Sequence, residues 1–84
     1  MAGASHYSLP LPAFEAPVRV LIVVAPYYKD IADDMVAGAR AVLGEVGAAV
    51  EVAEVPGALE VPTAIAYAHA AKAFDGYVAI GCVI

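Results

Sequence analysis

The feature that most constrains this chain is the run Val18 to Ala25 (VRVLIVVA), β-branched and almost unbroken in apolar residues. A strand with one wet face alternates polar and apolar residues. A run without that alternation suits a strand covered on both faces, as in a parallel sheet. From Asp30 to Val46 the period changes. Ile31, Met35, Ala39, Val42, Leu43 and Val46 recur at helical spacing, with Asp33 and Asp34 read into the first turn and Gly47 just past the end. Ala48 to Val55 reads as a second strand and Pro56-Gly57 as a turn. A second helix is expected from about Glu60 to Ala73, with Pro62 tolerated in its first turn and Phe74-Asp75-Gly76 closing it. Tyr77 to Val83 is the third strand. Strand, helix, strand, helix, strand predicts an α/β fold: a parallel sheet with right-handed crossovers.

Composition sharpens this. The chain has 84 residues, 63% of them hydrophobic, enough length for one small domain. A globule of this size buries only roughly 60–65% of the surface its unfolded chain exposes. So apolar a sequence must span a membrane, cover surface against partners, or belong to something longer. Spanning is excluded by run length, since a membrane helix needs about 20 mostly apolar residues. Val20 to Ala25 is bracketed by Arg19 and Lys29, and Val61 to Phe74 carries His69 and Lys72. Two helices cannot cover both faces of a three-stranded parallel sheet. The expectation is therefore that more sheet and helix follow Ile84, making residues 18–84 the N-terminal part of one α/β domain. Residues 1–17, with Pro10, Pro12 and Pro17, read as an extended arm whose Leu9, Leu11 and Phe14 lie on some apolar surface.

Charge and cysteine usage exclude other classes. Four basic residues against nine acidic give a net charge of −5, which argues against nucleic acid as a partner. The chain is too apolar for disorder, and Cys82 stands alone, so no disulfide framework exists. Met1 to His6 has no basic region and Pro10 and Pro12 interrupt the apolar stretch, so no secretory signal is read; a cytoplasmic location is expected.

In open α/β sheets, ligands bind beyond the carboxyl ends of the strands, where strand order reverses. With strand one central, three segments meet there: Pro26-Tyr27-Tyr28, Gly57-Ala58-Leu59-Glu60 and Gly81-Cys82-Val83-Ile84. Tyr27 and Tyr28 offer flat surfaces for a heteroaromatic ring or for plain packing; being adjacent, they are expected to point different ways, so that at most one stacks. Glu60, at a helix start, either accepts hydrogen bonds from ligand hydroxyls or complements the helix dipole. Gly57 either cradles an anion or is a turn residue. Neither G-x-G-x-x-G nor a P-loop is present. Cys82 as a nucleophile would need a histidine base. His6 lies in the arm and His69 mid-helix, so Cys82 reads as a small buried hydrophobe. Asp30, Asp33 and Asp34 read as a solvated helix start rather than a Mg²⁺ pocket, and His69 lacks a second metal ligand at useful spacing.

At these same segments the sequence resembles the 6,7-dimethyl-8-ribityllumazine synthase family. VLIVVAPYYKDIADDMVAGA (20–39) is similar to that family's first strand, corner and first helix. VPGALEVP (55–62) resembles its Val-Pro-Gly-Ala-(aromatic or Leu)-Glu-(Ile/Leu)-Pro signature, and FDGYVAIGCVI (74–84) its third strand and the turn after it. The resemblance covers residues 18–84.

It implies a three-layer, flavodoxin-like sheet with strand order 2-1-3 in this half. It implies a transferase of riboflavin biosynthesis, without metal or redox cofactor, that condenses 5-amino-6-(D-ribitylamino)uracil with 3,4-dihydroxy-2-butanone 4-phosphate. Family members are homo-oligomers, pentamers or larger, with active sites between subunits. By position, Tyr27 would stack on the pyrimidine. Ala58, Leu59 and Glu60 would hold the ribityl chain, and Cys82, Val83 and Ile84 would contact the pyrimidine edge. Pro26 stands where the family commonly has Arg, Tyr28 where it often has Asn, and Tyr27 replaces a more usual Phe or Trp. The family's phosphate-holding and catalytic segment, Arg-Gly-x-Thr-x-His, follows the position of Ile84, so no catalytic residue is assigned within these 84 residues. Taken alone they are expected to bind substrate poorly and catalyse little. Two other readings stand beside the enzyme: a non-catalytic pyrimidine- or flavin-binding module of the same topology, and a purely structural assembly piece.

Overall fold

A computed structural model describes residues 10, 11, 13, 14 and 16–83. Along it run β1 (Arg19–Val24), α1 (Lys29–Glu45), β2 (Ala49–Glu54), α2 (Val61–Ala71) and β3 (Gly76–Ile80), with a 3-10 turn at Ala58–Glu60 leading into α2. The strands form one parallel sheet in the order β2-β1-β3. This is the flavodoxin-like arrangement, with the most apolar strand at the centre.

The central position explains the composition of β1. Val20 to Val24 are all buried, and Ile22 and Val23 are completely so. Leu21, Val23 and Ala25 face one way and pack with Val61, Ala64, Ile65 and Ala68 of α2. Ile22 and Val24 face the other way, with Ala32, Val36, Ala39 and Leu43 of α1. The helices lie on opposite faces because the two right-handed crossovers run in opposite directions from β1, one to β2 and one back past β1 to β3.

The boundaries differ from the sequence expectation in instructive ways. Helix α1 begins at Lys29, which leaves only Asp30 in its first turn and moves Asp33 and Asp34 further along. Its buried stripe is Ala32, Val36, Ala39 and Leu43. Ile31, Met35 and Val42 sit about 100° around the helix and stay 42–50% exposed. The helix ends at Glu45, one residue short of the expected Val46, and Gly47 stands just past the end as expected, at φ +76°. That lets the Gly47 N–H donate to Gly44 C=O and the Ala48 N–H to Leu43 C=O, satisfying carbonyls the helix leaves open. Helix α2 stops at Ala71, earlier than Ala73, because Lys72 turns left-handed at φ 56°. Strand β3 stops at Ile80, not Val83. Its ladder ends with the Ala25 N–H donating to Ile80 C=O at 3.0 Å.

Most of the expected arm, including Leu9, lies outside the described residues, and Leu11 and Phe14 are about half exposed. Among the described residues no helix is long and apolar enough to cross a membrane.

Candidate functional site

The three strands end level with one another. The Val55 N–H donates to Val24 C=O at 2.9 Å, and the Ala25 N–H to Ile80 C=O at 3.0 Å. Beyond these last rungs the chain diverges, since successive connections leave β1 in opposite directions, and a crevice opens between them. A cleft of about 230 Å³ lies there, lined by Tyr27 and Tyr28 from beyond β1, Pro56, Gly57 and Ala58 from beyond β2, and Cys82 and Val83 from beyond β3. A second hollow of about 220 Å³ sits under α1 on the β2 flank, among Val24, Val36, Val52, Arg40 and Glu54. It takes nothing from β3 and so is not at the reversal.

Each wall has a local cause. Tyr28 is the residue before α1, and its C=O accepts the N–H of buried Ala32 at 2.9 Å. Tyr27 precedes it and is 78% exposed. The two rings stand at 84° with centroids 5.0 Å apart. They meet edge to face, and both border the cleft. On the opposite wall, a Cβ built on Gly81 would come within 3.1 Å of the Ala58 Cβ. The missing side chain is what lets the turn after β2 close against the end of β3.

Of the residues singled out from sequence, Tyr27, Ala58, Cys82 and Val83 come together in the cleft. Leu59 and Glu60 do not line it. Leu59 points into solvent at 90% exposure. Glu60 folds back over the turn, its Oε1 3.1 Å from the place a Gly57 Cβ would take, and its N–H donates to Gly57 C=O at 3.0 Å. Its carboxylate stands at the N-terminus of α2 with oxygens open to solvent, compatible with the dipole role and with hydroxyl recognition alike. Ile84 lies outside the described residues, as does His6. Tyr28, which the sequence placed in the same converging segment and offered beside Tyr27 as a stacking ring, also lines the cleft, and Pro56 lines it without having been assigned a role.

The chemistry of the lining is narrow. Cys82 is a half-buried free thiol. His69 packs edge-on against Tyr77 near the start of β3, at the other end of the sheet, so no described histidine serves Cys82. None of Arg19, Lys29, Arg40 or Lys72 borders the cleft. Among the described residues, no group of three or more His, Cys, Asp or Glu is placed to hold a metal ion. The cleft can stack a flat ring and offer backbone groups to its edge. It has no cation for a phosphate.

The family model for 6,7-dimethyl-8-ribityllumazine synthase matches residues 17–84. The chain is 56% identical over 84 residues to a 6,7-dimethyl-8-ribityllumazine synthase of Jannaschia sp. (strain CCS1), covering 100% of this chain and 47% of that protein. It is 51% identical over 68 residues to one from Bartonella bacilliformis, covering 79% of this chain and 45% of the relative. Against one from Novosphingobium aromaticivorans it is 56% identical over 66 residues, covering 79% and 48%. The chain thus spans about half the length of the curated relatives it matches. The match runs unbroken through β1, the turn after β2 and the end of β3, the segments that build the cleft, and this chain belongs to the 6,7-dimethyl-8-ribityllumazine synthase family.

Proposed function

We propose that residues 18–84, after the arm at 1–17, form the N-terminal part of a lumazine synthase α/β domain. The subunit that contains them condenses 5-amino-6-(D-ribitylamino)uracil with 3,4-dihydroxy-2-butanone 4-phosphate to 6,7-dimethyl-8-ribityllumazine. The observation that carries this reading is the cleft itself. It draws Tyr27, Ala58, Cys82 and Val83 from three separate family-like blocks into one place.

In this reading Tyr27 stacks on the pyrimidine, with one ring face free to do so. Backbone groups of Cys82, Val83 and Ile84 meet the pyrimidine edge. Ala58 and Leu59 flank the ribityl chain, and Glu60 accepts hydrogen bonds from its hydroxyls, which suits a carboxylate left open to solvent. The binding of phosphate and the proton transfers of imine formation, phosphate elimination and ring closure fall to groups outside these 84 residues. The enzyme works in the cytoplasm as a homo-oligomer, a pentamer or larger, without a cofactor. Ile31, Met35, Val42 and Tyr67, large and at least 42% exposed here, are surface that neighbouring structure would cover.

The test is to assay lumazine formation by the full subunit, by its Glu60→Ala variant and by residues 1–84 alone. Glu60→Ala should raise KM for the ribityl substrate about 10-fold or more, as expected for losing charge-assisted hydrogen bonds. The 84 residues alone should turn over negligibly. Turnover by them near that of the full subunit would refute the division of roles. A full subunit that binds the pyrimidine without turnover would favour the non-catalytic binding module.

A further inference from the structure

The geometry points to Tyr28 as a positioning residue: it braces Tyr27, holding that ring upright for the pyrimidine. This rests on the proposed stacking role of Tyr27. A tyrosine 78% exposed in a loop has several side-chain rotamers open to it, and a ligand that needs one of them must pay to select it. Tyr28 supplies the selection in advance. Its ring stands at 84° to that of Tyr27, with centroids 5.0 Å apart, the edge-to-face arrangement that aromatic quadrupoles favour. A perpendicular partner covers at most one face of Tyr27, so the other face stays open for a flat ring.

Tyr28 can act as a brace because it is itself fixed. It is half-buried, and its C=O accepts the N–H of Ala32, a residue 5% exposed in the core beneath α1. Rigidity therefore passes from the central strand to Ala32, from there to the start of α1, and through Tyr28 to Tyr27. The brace needs the aromatic ring and not the hydroxyl.

Steady-state kinetics of the full assembled subunit, with 5-amino-6-(D-ribitylamino)uracil as the varied substrate, test this. Tyr28→Ala should raise KM for that substrate roughly 2- to 10-fold, the worth of one edge-to-face pair, with kcat little changed. Tyr28→Phe should restore the parent KM. The double variant Tyr27→Ala/Tyr28→Ala should be no worse than Tyr27→Ala, because a brace has nothing to do once its ring is gone. Should Tyr28→Ala not fold, Tyr28→Leu, which keeps bulk without the aromatic ring, should show the raised KM. Three results would overturn the proposal: an unchanged KM where Tyr27→Ala raises it, additive losses in the double variant, or failure of Tyr28→Phe to rescue. A Tyr27→Ala variant with unaltered KM would instead remove the stacking reading, and the brace with it.

Discussion

Asp75 and Arg19 clasp the starts of β3 and β1 from both sides. The Arg19 N–H donates to Asp75 Oδ2 at 2.8 Å, and the Asp75 N–H donates to Arg19 C=O at 2.7 Å. The carboxylate thus satisfies a main-chain donor one residue before the β1–β3 register begins at Val20↔Gly76. Asp75→Ala removes that acceptor at an exposed site and should cost about 1 kcal/mol. The Arg19 amide should then exchange with solvent about 5-fold faster. Asp75→Asn, which keeps a side-chain oxygen, should lose less. An Arg19 amide equally protected in Asp75→Ala would show that the clasp contributes nothing.

The contact between Gly81 and Ala58 should be equally sensitive to bulk. A methyl on Gly81 would meet the Ala58 Cβ at 3.1 Å, and Ala58 is held on backbone, with no flexible end to yield. Gly81→Ala should move the turn after β2 by a few tenths of an ångström and raise KM for the ribityl substrate. Gly81→Val should also destabilise the fold, by about 1–3 kcal/mol as overpacking does. Thermal melts and kinetics on both variants check this, and a Gly81→Val protein with parent stability and KM would contradict it.

Burial separates two aliphatic residues of similar size. Ile22 is 0% exposed between the helices, so Ile22→Ala should cost about 2–5 kcal/mol. Leu59 is 90% exposed, so Leu59→Ala should change stability by no more than about 0.5 kcal/mol. Any loss it brings should appear in substrate affinity. Urea denaturation and KM, measured on both variants, distinguish the outcomes; a Leu59→Ala variant that loses stability while keeping its KM would count against a ligand role.

Lys29 Nζ lies 2.7 Å from Asp33 Oδ2, one helical turn away on an open surface. The hydrogen bond to Asp33, and then its charge, raise the Lys29 pKa above the usual 10.5. A raised lysine pKa means the folded state holds the proton more tightly. The pair's small contribution is therefore fully present below the ordinary lysine pKa, and is lost as pH rises through the raised value. At neutral pH, Lys29→Met should change stability barely at all, and added salt should erase what difference there is. A large, salt-independent loss at neutral pH would show that Lys29 does more than pair with Asp33.

The sequence by itself determined the alternation of elements; the meeting of three loops beyond the strand ends rests on the premise of a central first strand, an order that the family resemblance implies. The alternation follows from local periods of two and 3.6 residues, which act the same way wherever the chain lies. The tertiary structure alone decided which apolar residues of α1 are core. Ile31, Met35 and Val42 are as apolar as Val36 and Leu43, but the sheet meets the other side of the helix. It alone ended β3 at Ile80, whose C=O takes the last rung from the central segment, the Ala25 N–H. It alone set Tyr28 against Tyr27 and left Leu59 and Glu60 beside the cleft instead of in it. Periodicity says which face a side chain takes. Only packing says what that face meets.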